Sequence, residues 1–138
     1  MNRQVGFTRK VLGVFEDYNI SFDHMPSGID NISIVMRSNQ IKNIESRVLN
    51  DIQKHCDVDE LSIDHDLAIL MIVGEGMNRV VGTASKITHA LAESNINLKM
   101  INQGASEISM MFGIKVEDAE KAVRSTYEFC YHGVCIKE

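Results

Sequence analysis

Met1-Asn2-Arg3-Gln4-Val5-Gly6 returns as Met77-Asn78-Arg79-Val80-Val81-Gly82, and this recurrence decides the fold. The match runs on without a gap at an offset of 76. Lys10 meets Lys86, Asn19-Ile20 meets Asn95-Ile96, Gly28 meets Gly104, and Ile32-Ser33 meets Ile108-Ser109. Eleven of thirty-six aligned positions are identical, and most others exchange like for like, as in Val11/Ile87, Phe15/Leu91 and Phe22/Leu98. A fixed offset with a shared apolar pattern means two copies of one structural unit. Two copies are too few for a solenoid, so the reading is a pair of like modules packed together, 1–65 and 66–138.

Periodicity supplies the elements. Apolar residues at 5, 7, 11, 12, 14, 15 and 18 form an amphipathic helical stripe over 5–18. Asn19 can stop that helix, because asparagine tolerates a left-handed backbone. Alternation predicts strands over 20–25 and 32–36, around a turn-rich 26–31. Ser38-Asn39 can cap a helix over 40–55, and 58–63 reads as a strand. The run 67–73 is nearly all apolar and reads as a strand buried on both faces. After Gly74-Glu75-Gly76 the second copy predicts a helix over 80–94, a strand over 96–101, a loop over 102–105, a strand over 108–114 and a helix over 116–131. Residues 133–136 add a last strand or a tail. The second copy thus reads β-α-β-β-α-β. The fold class is α+β: ferredoxin-like modules, each an antiparallel sheet with its helices on one face. The first copy lacks an opening strand, since the counterpart of 67–73 would fall before residue 1. That implies a piece of a longer protein and a sheet edge inviting a partner strand.

Composition excludes several classes. A net charge of −5 leaves no electrostatic footprint for nucleic acid or an anionic membrane. The longest apolar run is far short of the roughly 20 residues that span a bilayer. No signal peptide opens the chain. Three irregularly spaced cysteines fit reduced thiols in a cytoplasmic protein. His55, Cys56, Cys130, His132 and Cys135 fit no structural zinc spacing, so no metal site is read. No nucleophile–base pair or phosphate loop is present, so this chain carries no catalytic residues and holds no cofactor.

Four stretches carry a resemblance. They are Met1-Asn2-Arg3-Gln4-Val5-Gly6-Phe7; Asn19-Ile20-Ser21-Phe22-Asp23-His24-Met25-Pro26-Ser27-Gly28-Ile29-Asp30; Val73-Gly74-Glu75-Gly76-Met77; and Asn95-Ile96-Asn97 with Met100-Ile101-Asn102-Gln103-Gly104-Ala105-Ser106. In order and spacing they resemble the C-terminal tandem ACT regulatory region of aspartokinase, most closely the lysine-sensitive, single-function type. The resemblance implies an upstream amino-acid-kinase domain that phosphorylates L-aspartate with ATP and Mg2+, the first step of lysine, threonine and methionine biosynthesis. It implies a homodimer through the ACT modules, and feedback inhibition by L-lysine.

A free amino acid needs N–H donors for its carboxylate and an acceptor for its ammonium. The start of the first helix offers Gln4, Val5, Gly6, Phe7 and Thr8, and the next strand offers Ser21, Phe22 and Asp23. The resemblance makes these, with Met1, the effector site. It makes Ser27, Gly28, Ile29 and Asp30 a loop reaching in from the partner subunit. In the second copy Lys99 replaces Asp23, and Gly82-Thr83-Ala84 replaces Gly6-Phe7-Thr8. A lysine there would repel a cationic ligand, so the first module is the expected sensor and the second its packing partner. Asn102, Gln103 and Gly104 offer a polar turn or a site for threonine. The competing reading is a structural dimerisation module without an effector.

Overall fold

The computed structural model describes residues 5–74, 76–104 and 108–132. It divides into two compact units, Met1–His65 and Asp66–Glu138.

The second unit has a three-stranded antiparallel sheet in the order β1-β3-β2, with β1 at Leu67–Val73, β2 at Met100–Gln103 and β3 at Ser109–Lys115. Helices α4, Thr83–Glu93, and α5, Ala119–His132, supply its other layer. Ile87 and Leu91 of α4, Ala122 of α5 and Met110, Phe112 and Ile114 of β3 make the core, with Ala68, Leu70 and Ile72 of β1 packed against it. Strand order and helix placement are those of the ferredoxin-like plan. The fourth strand expected over 133–136 lies outside the described residues.

The 67–73 run is not buried on both faces. Ile69, Met71 and Val73 point away from the helices and are 38%, 51% and 64% exposed. Both helices contribute to one core, so only alternate residues of β1 are covered. The expected loop over 102–105 also starts later, because Asn102 and Gln103 pair with Met111 and Met110 in β2.

The first unit packs α1, Phe7–Asp17, against α2, Ser38–Ile41, and α3, Glu45–His55. The helix expected over 40–55 is broken, because Asn43 takes φ 104° and interrupts the ladder. Phe7, Val11, Val14 and Phe15 bury one face of α1 against Val48 and Ile52 of α3. Tyr18 joins the two helices: its hydroxyl donates to Asp51 at 2.6 Å, and the Arg47 guanidinium lies 6.0 Å from its ring centre.

The expected strands over 20–25 and 32–36 form a hairpin held by two isolated bridges, His24 with Val35 and Ser27 with Ile32. Ile32, Ile34 and Met36 alternate into the core as strand residues should, and Val58, Leu61 and Ile63 pack against the same core without strict alternation. Backbone 58–63 nevertheless forms no ladder. In the second unit the equivalent of 32–36 is β3, flanked on both sides. Among the described residues, 32–36 has one neighbour only. Side-chain alternation places the segments, but backbone pairing needs a strand to pair with.

The repeat is written in the backbone. Gly6 and Gly82 precede α1 and α4 with φ 79° and 87°. Asn19 and Asn95 follow those helices, each with φ 53°. The Ile20 N–H donates to the Phe15 carbonyl at 2.9 Å, and the Ile96 N–H to the Leu91 carbonyl at 3.0 Å. Such bonds close a helix whose exit residue is left-handed. The helix starts are accordingly Phe7 and Thr83, later than the apolar stripes suggest, because a left-handed glycine cannot lie inside a helix. The hairpins differ. Carrying the pairing of Met100 with Gly113 back by the offset would set His24 against Arg37, yet His24 pairs with Val35. A two-residue slip keeps every side chain on its own face, and it closes a tight turn in which the Gly28 N–H donates to the Asn31 carbonyl at 2.9 Å.

Among the described residues no helix is long and apolar enough to cross a membrane, and no three His, Cys, Asp or Glu side chains converge.

Candidate functional site

Two helix starts share one geometry, and both leave backbone donors unspent. An α-helix leaves its first N–H groups without intrahelical partners. Neither α1 nor α4 satisfies them with a capping side chain. The left-handed glycine instead turns the incoming chain aside and keeps the helix end open. Beside each glycine stands a valine almost wholly in solvent: Val5 and Val81 are each 97% exposed.

In the second unit this region borders an open cleft of about 320 Å³, lined by Met77, Arg79, residues 80–84, Gln103 and Met110. The floor is the paired end of β2 and β3, where Gln103 lies opposite Met110. The wall is the start of α4 with the short helical turn Met77–Arg79 before it. The Thr83 hydroxyl donates to the Val80 carbonyl at 2.9 Å and holds that wall in place. Through the repeat offset, the lining corresponds to Met1, Arg3, Gln4, Val5, Gly6, Phe7, Thr8, Ser27 and Ile34. Six of these, Met1, Gln4, Val5, Gly6, Phe7 and Thr8, are residues the sequence marks for effector binding in the first unit, and Ser27 belongs to the loop expected from the partner subunit. Where the first copy carries Phe7 and Thr8, the second carries the smaller Thr83 and Ala84.

The first-unit candidates are distributed as follows. Met1 and Gln4 lie outside the described residues. Val5, Gly6 and Thr8 are exposed at the start of α1. Phe7 is 7% exposed and its ring belongs to the core, so it offers a ligand only its N–H. Ser21 is exposed, but its N–H and hydroxyl both reach the Gln40 side-chain oxygen, at 2.8 and 3.0 Å. Phe22 is 40% exposed. The Asp23 carboxylate faces Arg37 at 3.9 Å, both side chains well exposed. A pair that long and that wet is weak and exchangeable. Ser27, Gly28, Ile29 and Asp30 form the exposed hairpin tip, with Ile29 79% exposed. Gly28 permits that turn: a Cβ there would stand 2.8 Å from the Asn31 side-chain oxygen.

Sequence reasoning missed Arg79 and Met110. The signal for Arg79 was present, since Met-Asn-Arg is the longest identical run in the repeat, but a lone arginine has no motif. Lys99, the replacement for Asp23, does not line the cleft; its backbone N–H donates to the Gly113 carbonyl at 2.7 Å.

The second unit has the fold of an ACT domain, and the family model for the ACT domain matches residues 70–128 within it. Aspartokinase 3 of Bacillus subtilis is 42% identical over 137 residues, covering 99% of this chain and 30% of that enzyme. The crystal structure of Clostridium acetobutylicum aspartate kinase superposes with a TM-score of 0.92 at 40% identity, over 96% of this chain and 31% of that one. The structure of the aspartokinase alpha and beta subunits matches with a TM-score of 0.79 at 27% identity, over 92% of this chain and 84% of that one. The chain is thus a relative of the ACT regulatory region of aspartokinases, and it spans about a third of the length of the full enzymes it matches.

Proposed function

We propose that this chain is the allosteric sensing region of an aspartate kinase, an enzyme that phosphorylates L-aspartate with ATP. It comprises two ACT modules, 1–65 and 66–138, and works as a homodimer. ATP and Mg2+ belong to the catalytic region and involve no residue of this chain. The effector is L-lysine, bound by the first module. Its carboxylate meets the open N–H groups at the start of α1, beside Gly6. Its ammonium replaces Arg37 at Asp23, and Ser27 to Asp30 of the partner subunit close over it. Affinity for the inhibited arrangement alone is what shifts the kinase equilibrium.

The observation that carries this reading is the pair of uncapped helix starts with a left-handed glycine and a solvent-exposed valine. The 3.9 Å Asp23–Arg37 pair supports the ammonium assignment, because a ligand displaces so long a contact at little loss. The same pair favours a second reading, a structural dimerisation module with Asp23 already satisfied.

Calorimetric titration of lysine separates the two. The sensing reading expects saturable heat that Asp23→Ala weakens at least tenfold and Lys99→Ala leaves alone. Equal binding by the Asp23→Ala protein, or no heat with the parent chain, refutes it.

A further inference from the structure

The two hairpins use different registers, and one pair of positions separates them. In the second unit Met100 stands opposite Gly113, and the Lys99 N–H donates to the Gly113 carbonyl at 2.7 Å. A Cβ on Gly113 would come within 2.9 Å of the Met100 Cβ, so this pairing suits glycine. At the repeat offset the first unit carries His24 and Arg37 in these two places. The Cβ of Arg37 opposes the same pairing. The hairpin is slipped by two residues, and the Asp23 N–H donates to the Val35 carbonyl at 2.8 Å.

The slipped register is poorly satisfied. A two-residue hairpin turn follows the twist of its strands when one or both central residues have φ > 0. Here the centre is Ile29 and Asp30, and neither takes positive φ. The Gly28 N–H donates to the Asn31 carbonyl, but the Asn31 N–H makes no return bond to Gly28. Pairing stops at two isolated bridges. The His24 Nε2 is buried and has no hydrogen-bond partner among the described residues, which costs the full desolvation of that atom. The unslipped register would answer each defect. It centres the turn on Asp30 and Asn31, residue types that tolerate positive φ. It sets the guanidinium of Arg37, a donor, across from His24. Every side chain keeps its face, because the shift is two residues.

We infer that the first hairpin is a two-register element latched by Arg37. The Cβ of Arg37 holds the slipped register, in which its guanidinium lies 3.9 Å from the Asp23 carboxylate. The unslipped register carries that guanidinium to His24 and leaves Asp23 open. A cation that binds Asp23 therefore favours the unslipped form. That last step rests on the reading of Asp23 as the ammonium acceptor; the two registers do not depend on it.

NMR of the whole chain without ligand reads the register from Hα–Hα contacts across the hairpin. The slipped form pairs Ser27 with Ile32, and the unslipped form would pair Ser27 with Ile34. The parent should show the Ser27–Ile32 contact. Arg37→Ala removes the guanidinium but keeps the Cβ, so it should keep that contact. Arg37→Gly should make the Ser27–Ile34 contact the major one. Adding Asn31→Gly, which offers the turn an Asp-Gly pair, should complete the change. Residues 31 and 37 are exposed, and the signals of α1 and α3 report whether the unit stays folded. Persistence of the Ser27–Ile32 contact in both glycine variants would overturn the inference. So would an Arg37→Ala protein that already pairs Ser27 with Ile34, or loss of both contacts in a folded unit. None of these outcomes involves lysine, so the effector reading stands or falls separately by calorimetry.

Discussion

Glycine-to-alanine exchange should act in opposite directions at Gly13 and Gly113. Gly13 lies inside α1, and a Cβ built there meets nothing within 4 Å. Alanine is favoured over glycine by about 1 kcal/mol in a helix interior, so Gly13→Ala should stabilise the first unit by about that much. Gly113 lies in β3, the central strand, opposite Ile69 on one side and Met100 on the other. A Cβ there would stand 2.9 Å from the Met100 Cβ, 3.2 Å from the Leu67 Cδ1 and 3.4 Å from the Met100 backbone nitrogen. Facing Cβ atoms in a sheet normally keep about 4.5–5.5 Å apart, so β2 must move by on the order of 1.5 Å. Overpacking of this kind costs about 1–3 kcal/mol, offset by roughly 0.4–1 kcal/mol from the stiffer unfolded chain. The net loss is about 1–2 kcal/mol, or about 4–16 °C in the melting temperature of a domain this size.

Hydrogen exchange with peptide resolution assays each unit separately. Protection of α1 and α3 should rise in Gly13→Ala, and protection of β1, β2 and β3 should fall in Gly113→Ala. Leu67→Ala should not rescue the second variant, because the closest atom belongs to Met100. Met100→Gly should restore part of the loss. Unchanged protection in Gly113→Ala, or weakened protection in Gly13→Ala, would refute the packing argument.

The Tyr18–Asp51 bond should give the first unit a pH dependence at both extremes. The hydrogen bond from Tyr18 holds the Asp51 carboxyl below its ordinary 3.8, so its contribution is present above that value and fades as the pH falls past it. The same bond pushes the Tyr18 hydroxyl above its ordinary 10.0, so its contribution is present below 10.0 and is lost as the pH rises past the folded value. Tyr18→Phe should flatten both limbs of a urea-midpoint profile against pH, and a variant that keeps either limb at full height would contradict the assignment. Asn19→Ala and Asn95→Ala should each cost about 1 kcal/mol, because alanine resists the left-handed backbone at φ 53°, whereas glycine at either place should be close to neutral. Thermal melts of the four variants would show this, and alanine variants as stable as the parent would argue against those caps.

Local chemistry was legible from the residues. Asn19 could be read as a helix stop because asparagine bears φ > 0 better than most residues, and the apolar spacing of α1 named the face that is buried. The bridges that replace full strands were not legible. They depend on how many neighbours a segment finds, not on its own pattern. The same holds for β1. Seven apolar residues in a row look buried on both faces, yet one face is left open because all the described helices of that unit pack on the other. At the site, the effector candidates at the start of α1 came from a resemblance. Periodicity had nothing to say about Arg79, whose importance is a matter of position.

By itself the sequence determined that one pattern recurs at an offset of 76, that α1 stops at Asn19, and that the two copies diverge at Asp23 and Lys99. Those properties follow from local sterics, charge and the periodicity of burial, which each short segment carries with it. Tertiary structure alone decided that an open cleft forms at the start of α4, that Phe7 is spent on the core, and that Ser21 is already bonded to Gln40. Those outcomes depend on which distant segments meet. Thr83 lines a space only because Gln103 and Met110 from the β2–β3 pair form its other side.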